Sequence, residues 1–262
     1  MRVLVTNDDG VEAEGLVVLA TALVDEGHDV MVAAPTTERS GSGSSIGSIE
    51  HGTRIPMQET RIDELGSTPV FAVDCPPALA VIAACAGAFG PPPELVVSGI
   101  NPGHNTGRSI LFSSTVGAVL AARVTGVSGV AVSTAFEPNH RYDTAAAVAR
   151  SVVRWMSDRG STRLTLNVNV PAVDVADLDR AVITTLAAQS LFSLRISRSE
   201  SDLVLHREER DGGFRPGTDG AAVVDGHVSI TSLNTVADAN GVLSEADTRA
   251  LARALDLTPT TL

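Results

Sequence analysis

"LVTNDDGVEAEGL", residues Leu4 to Leu16, decides how this chain is read. An apolar run, Arg2–Thr6 (RVLVT), ends abruptly in Asn7-Asp8-Asp9-Gly10. Helical spacing then sets in over Gly15–Glu26 (GLVVLATALVDE), with Gly27 placed to stop it. A strand that breaks at a polar turn and hands over to a helix opens an α/β fold. A turn alone needs one Asp or Asn. Asp8 and Asp9 side by side repel each other at neutral pH, so the pair calls for something positive between them.

The strand–turn–helix unit recurs outward from there. Asp29–Ala34 (DVMVAA) is a second strand closed by Pro35, followed by a polar, small-residue loop, TTERSGSGSSIGS. Strands near Val70–Val73 and Leu95–Ser98 bracket a helix around Ala78–Gly87. Ser113–Val124 reads as a helix, Val130–Ser133 as a strand, Asp143–Asp158 as a helix and Leu164–Val170 (LTLNVNV) as a strand. The alternation predicts a doubly wound, mostly parallel sheet. Past Pro171 the character changes. Ala181–Leu186, Ser201–Arg207 and Ala221–Thr231 read as strands with charged turns such as REERDGG, and Leu243–Leu255 as a closing helix. The expected division is an α/β core over residues 1–175 and a smaller β-rich extension with a C-terminal helix over 176–262.

Composition narrows the chemistry. The chain has 262 residues, 44% of them hydrophobic, enough for a substantial core. A net charge of −12 argues against a nucleic-acid polymer or an anionic membrane as partner. All 19 basic residues are arginine. Without lysine, neither a Schiff base nor a P-loop lysine is available in this chain. Cys75 and Cys85 lie in an apolar stretch without C-x-x-C spacing and read as reduced thiols. The N-terminus lacks the features of a signal peptide, and the uncharged stretch Cys75–Pro93 is too short and small-sided for a membrane span. The expected location is the cytoplasm.

In an open parallel sheet, ligands gather beyond the carboxyl ends of the strands. Three segments fall there: Asn7–Gly10, Thr36–Ser45 and Gly99–Gly107 (GINPGHNTG). All are rich in oxygen donors and glycine. Two carboxylates, a hydroxyl and an amide oxygen suit a hard divalent cation, Mg²⁺ or Mn²⁺, where Zn²⁺ would want His or Cys. Plainer readings exist for each. Asn-Asp-Asp-Gly is also a good turn and helix-cap sequence. GSGSS follows the wrong strand for a dinucleotide fingerprint, and Ile46 stands where its third glycine belongs. GINPGHNTG also reads as an ordinary glycine loop, with His104 either a proton donor or a hydrogen-bonded loop residue. Ser113-Ser114-Thr115 either caps a helix or offers hydroxyls and amides to a phosphate.

Taken in order, TNDDG-x-x-A-x-G, AP…RSG, VVSGIN-x-G-x-N-x-G, LNVNVP and GTD-x-AAV-x-DG-x-VS resemble the blocks of the stationary-phase survival protein SurE family, as far as about Leu233. Members of that family are metal-dependent 5′-nucleotidases. The resemblance implies a Rossmann-like core, a C-terminal extension exchanged within a dimer, and a metal held by Asp8, Asp9, Ser40 and Asn101. The chain departs from the pattern at Asp74-Cys75-Pro76-Pro77-Ala78-Leu79, where a Gly-Thr-Pro-Ala-Asp-Cys-like run is usual. It departs also at Ser114, within what is usually Tyr-Ser-Gly-Thr-Val, and at Glu14, usually Pro. None of these removes an implied ligand.

The expected activity is hydrolysis of a phosphate monoester, nucleoside 5′-monophosphates first, with Asp8 and Asp9 holding the metal and one of them steering or deprotonating the attacking water. Gly41, Asn105, Ser113 and Thr115 are expected to cradle the phosphate, and Arg39 or Arg108 to add a bidentate contact. The alternatives are a dedicated phosphatase of another phosphorylated metabolite and a nucleotide- or sugar-phosphate-binding module without turnover. A haloacid-dehalogenase-type phosphatase would need D-x-D spacing at the end of the first strand and a lysine; the opening motif lacks the first and the chain the second. The expected partners are a small-molecule phosphate monoester and a second copy of the chain.

Overall fold

Near-continuous apolar runs of Val, Leu and Ala can bury both faces of a strand, and a parallel sheet requires that. The computed structural model describes residues 1–136, 138–160, 163–210 and 212–235. Its main sheet has nine strands in the order β3-β4-β2-β1-β5-β6-β7-β11-β8. The strands are β1 (Arg2–Thr6), β2 (Asp29–Pro35), β3 (Met57–Thr60), β4 (Val70–Val73), β5 (Leu95–Pro102), β6 (Ser128–Thr134), β7 (Thr165–Asn169), β8 (Ala181–Thr184) and β11 (Val228–Ser232). Strands β4, β2, β1, β5, β6 and β7 run parallel; β3 and β11 pair antiparallel with their neighbours β4 and β7.

Alternation within β1 sends its side chains to opposite layers. Val3 and Val5 pack under helices α1 (Glu14–Asp25) and α4 (Tyr142–Arg159), while Leu4 packs under α2 (Pro77–Cys85) and α3 (Ser114–Val124). The chain winds from β1 through β2 to β4 on one side, then from β5 through β6 to β7 on the other. The switch point therefore falls between β1 and β5, and that crevice is where such sheets bind ligands. A register shift in the β5–β6 pairing between Ser98 and Asn101 re-aims the end of β5 at that crevice.

The elements differ from expectation in three places, two of them after Pro171. Ala221–Thr231 is not one strand: Asp219–Val224 is a short helix, α5, stopped near Gly226 (φ 78°), and only Val228–Ser232 is extended. Short apolar runs suit either conformation, and tertiary packing chose. Two further strands lie outside the expected set. Met57–Thr60 (MQET) is a polar edge strand with no alternating signal. Phe192–Arg198 (FSLRISR), β9, does alternate, and its period of two was there to be seen. It pairs with β10 (Leu203–Glu209) as a separate antiparallel hairpin, whereas β8 and β11 extend the main sheet. The helix expected over Leu243–Leu255 lies outside the described residues. Cys75 and Cys85 are free thiols, as expected.

Candidate metal and phosphate site

Asp8 leaves β1 at the switch point and is buried, 3% exposed. Its carboxylate accepts a hydrogen bond of 2.6 Å from the hydroxyl of Thr115, in the first turn of α3. Burial pushes the Asp8 carboxyl above its ordinary range, with the Thr115 bond pulling the other way. The same hydroxyl lies 3.2 Å from the side-chain oxygen of Asn101, at the end of β5. Asn101 is oriented by its own amide, which donates to the Gly103 carbonyl at 2.6 Å. One hydroxyl proton thus faces two oxygens, and the shorter bond goes to the carboxylate. Asp8 and Asn101 come from segments more than ninety residues apart, and Thr115 joins them.

Asp9 is half-buried and continues the turn, which Asn7 closes by bonding both the amide and the carbonyl of Gly10. Ser40 and Gly41 are exposed, and the loop carrying them begins against Asp8, where the Arg39 amide donates to the Asp8 carbonyl at 2.7 Å. Space beside Gly41 is open: a Cβ there would meet nothing within 4 Å. The Arg39 guanidinium pairs with Asp74 at 2.6 Å, so that edge of it is already engaged inside the protein. Arg108 is exposed.

The structure gives some expected ligand contacts an internal task. The Ser113 hydroxyl accepts from the Val116 amide and caps α3, so the cap reading of this serine is realised. Asn105 is fastened by β6 and β7: its amide donates to Asn169 (2.8 Å), its side chain to Ser133 (2.8 Å), and its carbonyl accepts from Asn167 and Asn169. His104 bonds the Val170 carbonyl at 2.8 Å, and burial lowers its pKa. That is the hydrogen-bonded loop histidine and gives no support to a leaving-group acid.

Asp219 was not singled out from sequence. It is fully buried at the start of α5, and its carboxylate accepts from the amides of Gly107, Ala187 and Gly220, each at 2.8 Å. It anchors the far end of the Gly103–Gly107 loop. Asn167 and Asn169 hold the loop's middle. The available signals were polar residues at inward positions of a buried strand, and an acid in an otherwise apolar run.

The donor set passes a chemical test for a hard cation. Among the described residues no three His, Cys, Asp or Glu side chains converge, so a metal would rest on a mixed oxygen set. The buried Asp8 carboxylate, with one hydroxyl shared between it and Asn101, is short of positive charge in a way that a divalent ion would answer. At the start of α3, the amides of Ser114 and Thr115 precede the first intrahelical bonds, and helix starts of this kind attract phosphate.

Comparison with known proteins bears on the family and the fold. A family model described as "Survival protein SurE" matches residues 3–192. The protein named 5'-nucleotidase SurE from Xanthomonas axonopodis pv. citri (strain 306) is 38% identical over 243 residues, covering 89% of this chain and 90% of the relative. The protein of the same name from Xanthomonas campestris pv. campestris (strain B100) is 36% identical over the same coverage. The crystal structure of the SurE protein from Aquifex aeolicus superposes with a TM-score of 0.80 at 26% identity, covering 96% of this chain and 99% of that one. Fold, ordered blocks and relatives agree that this chain belongs to the SurE family.

Proposed function

We propose that this chain is a divalent-metal-dependent phosphatase that hydrolyses phosphate monoesters, nucleoside 5′-monophosphates foremost. Its relatives carry the name 5'-nucleotidase. The observation that carries the reading is the Thr115 hydroxyl, which joins buried Asp8 to Asn101 at the start of a helix. Asp8, Asp9, Ser40 and Asn101 would hold Mg²⁺ or Mn²⁺. When bound, the ion supplies charge for the phosphate oxygens and lowers the pKa of a bound water. The chain's own groups do the rest. Thr115 fixes the Asp8 oxygen that faces Asn101, the start of α3 favours the phosphate dianion, and the open side of Gly41 admits it. With Arg39 paired to Asp74 and no lysine in the chain, positive charge for the dianion would come from the metal or from another arginine such as exposed Arg108.

The test is phosphate release from nucleoside 5′-monophosphates, sugar phosphates and an aryl phosphate, with Mn²⁺ or Mg²⁺ and then with EDTA. Turnover abolished by chelation is expected. No metal-dependent release from any substrate would leave the non-catalytic binding module as the reading. Release confined to a sugar phosphate would identify a dedicated metabolite phosphatase, a choice to which the Asp74 departure beside Arg39 gives structural interest.

We also propose assembly into at least a dimer. Leu194, Ile196, Leu203 and Leu205 on the β9–β10 hairpin are each more than half exposed. Four apolar side chains on a two-stranded hairpin favour burial against another subunit. A monomer mass by light scattering at micromolar concentration would contradict this. Among the described residues no helix is long and apolar enough to cross a membrane.

A further inference from the structure

The loop bearing Ser40 and Gly41 lies on the surface, yet both of its ends are fastened. At one end Ser114, in the first turn of α3 and wholly buried, donates from its hydroxyl to the Arg39 carbonyl at 2.9 Å. At the other end the same hydroxyl accepts from the Ser42 amide at 2.9 Å and lies 2.9 Å from the Ser42 hydroxyl. The Arg39 side chain reaches outward to Asp74, past the end of β4, at 2.6 Å. Next in line, the Gly43 backbone rests on the same helical turn: a Cβ at Gly117 would stand 2.3 Å from the Gly43 carbonyl oxygen. Ser114 and Asp74 thus converge on one four-residue loop.

We propose that Ser114 and Asp74 are positioning residues that tether the Arg39–Ser42 loop, holding Ser40 and Gly41 beside Asp8 before any ligand arrives. The proposal rests on the phosphatase reading for its consequence in turnover, but not for the tether itself. A loop without these ties would have to be ordered by the incoming metal and substrate, and that ordering reduces affinity. The two anchors are unequal. Removing the Ser114 hydroxyl takes one partner from the part-buried Arg39 carbonyl and Ser42 amide and leaves them only the 3.3 Å bond between them, which costs part of the desolvation of each. The Arg39–Asp74 pair has side chains 36% and 49% exposed, and exposed pairs contribute little. Since the tether acts before the chemical step, its loss should appear in binding and KM and leave kcat nearly alone.

Trypsin gives a direct readout. The chain has no lysine, so its tryptic sites are arginines, and one of them, Arg39, opens the loop. Native-state cleavage after Arg39, followed by mass spectrometry, should be about tenfold faster in Ser114→Ala than in the wild type. It should be about twofold faster in Asp74→Ala, with the thermal midpoint of that exposed-site variant unchanged. Calorimetric titration with Mn²⁺ should weaken about three- to tenfold in Ser114→Ala and about twofold in Asp74→Ala. The double variant should exceed the product of the two, because either anchor partly replaces the other. KM for an aryl phosphate should rise in parallel.

Wild-type cleavage at Arg39 and wild-type Mn²⁺ affinity in Ser114→Ala and in the double variant would overturn the tether. Loss of kcat with KM unchanged would overturn it too. Should Ser114→Ala fail to fold, Asp74→Ala decides, and an unchanged cleavage rate there counts against the proposal. If the wild type releases no phosphate while the protease contrast holds, the phosphatase reading fails and the tether stands.

Discussion

Two loops frame the crevice between β1 and β5, and they are built on opposite terms. The Gly103–Gly107 loop is sewn down by Asn167, Asn169, Ser133 and Asp219, of which the two asparagines, the serine and the aspartate are all wholly buried. The Arg39–Ser42 loop hangs on one buried hydroxyl, one exposed ion pair and the bond from the Arg39 amide to the Asp8 carbonyl. Burial accounts for the difference. A hydrogen bond away from water is expensive to leave unmade, whereas an exposed partner is replaced by solvent. The first loop belongs to the core and the second to the surface, and the site needs both.

The comparison can be broken at its shared floor first. Asp8→Asn should reduce Mn²⁺ affinity and phosphate release by about a hundredfold or more, since even outer partners of metal ligands commonly cost 10–100-fold. Calorimetry and a phosphate-release assay would show it. With metal chelated, this variant should melt higher than the wild type at neutral pH. Burial raises the Asp8 carboxyl, so the stability tied to its protonated form is complete below its ordinary value of 3.8 and is lost as pH rises through the raised one. Melting curves between pH 4 and pH 8, in which the two proteins diverge upward, are the check.

The core-like loop comes next. Asp219→Ala strands three backbone amides that now point at one carboxylate, and should cost about 3 kcal/mol or more of folding stability. Urea unfolding at neutral pH would measure it. A loss under about 1 kcal/mol would mean that this loop is no more deeply tied than its exposed counterpart. Thr115→Val keeps the volume and deletes the bridging hydroxyl. It should lower metal affinity about 10–100-fold, less than Asp8→Asn, because the oxygens remain while their alignment goes. Titration of both variants under one buffer would rank them.

The smallest effect is expected at Cys75, beside Asp74 on the exposed loop's outer anchor. Burial pushes its thiol up to about 11. At pH 8 only about one molecule in a thousand carries the reactive thiolate there. Native protein treated briefly with iodoacetamide should show Cys75 unmodified by mass spectrometry, with labelling climbing about tenfold per pH unit above that. Rapid labelling at pH 8 would mean that this corner opens, and that the Asp74 anchor opens with it.

How much of this could be read beforehand follows the same division. The β1 strand, its Asp8-Asp9 turn and the helix after it were legible because each is local, a matter of period, breaker and cap over a dozen residues. So was the oxygen-rich character of the site. Ser113 was open between cap and ligand, and only the Val116 amide 3.1 Å away settled its present use. Arg39 is offered to a phosphate by the sequence, yet its guanidinium bonds Asp74, 35 residues on. Asp219 carries no local signal of its partner, since Gly107 lies 112 residues earlier.

By itself, then, the sequence determined the α/β character, the family blocks and the residue types offered to a cation, because periodicity, turn chemistry and donor softness are properties of short stretches. Tertiary structure alone decided which of those residues meet. It brought Asp8 and Asn101 to one Thr115 hydroxyl, made Asp219 and Asn169 clamps for a loop, and turned Ser114 to face the chain between Arg39 and Ser42. The physical reason is that a buried polar group must find a partner somewhere, and the fold, not the neighbouring residues, determines where that partner stands.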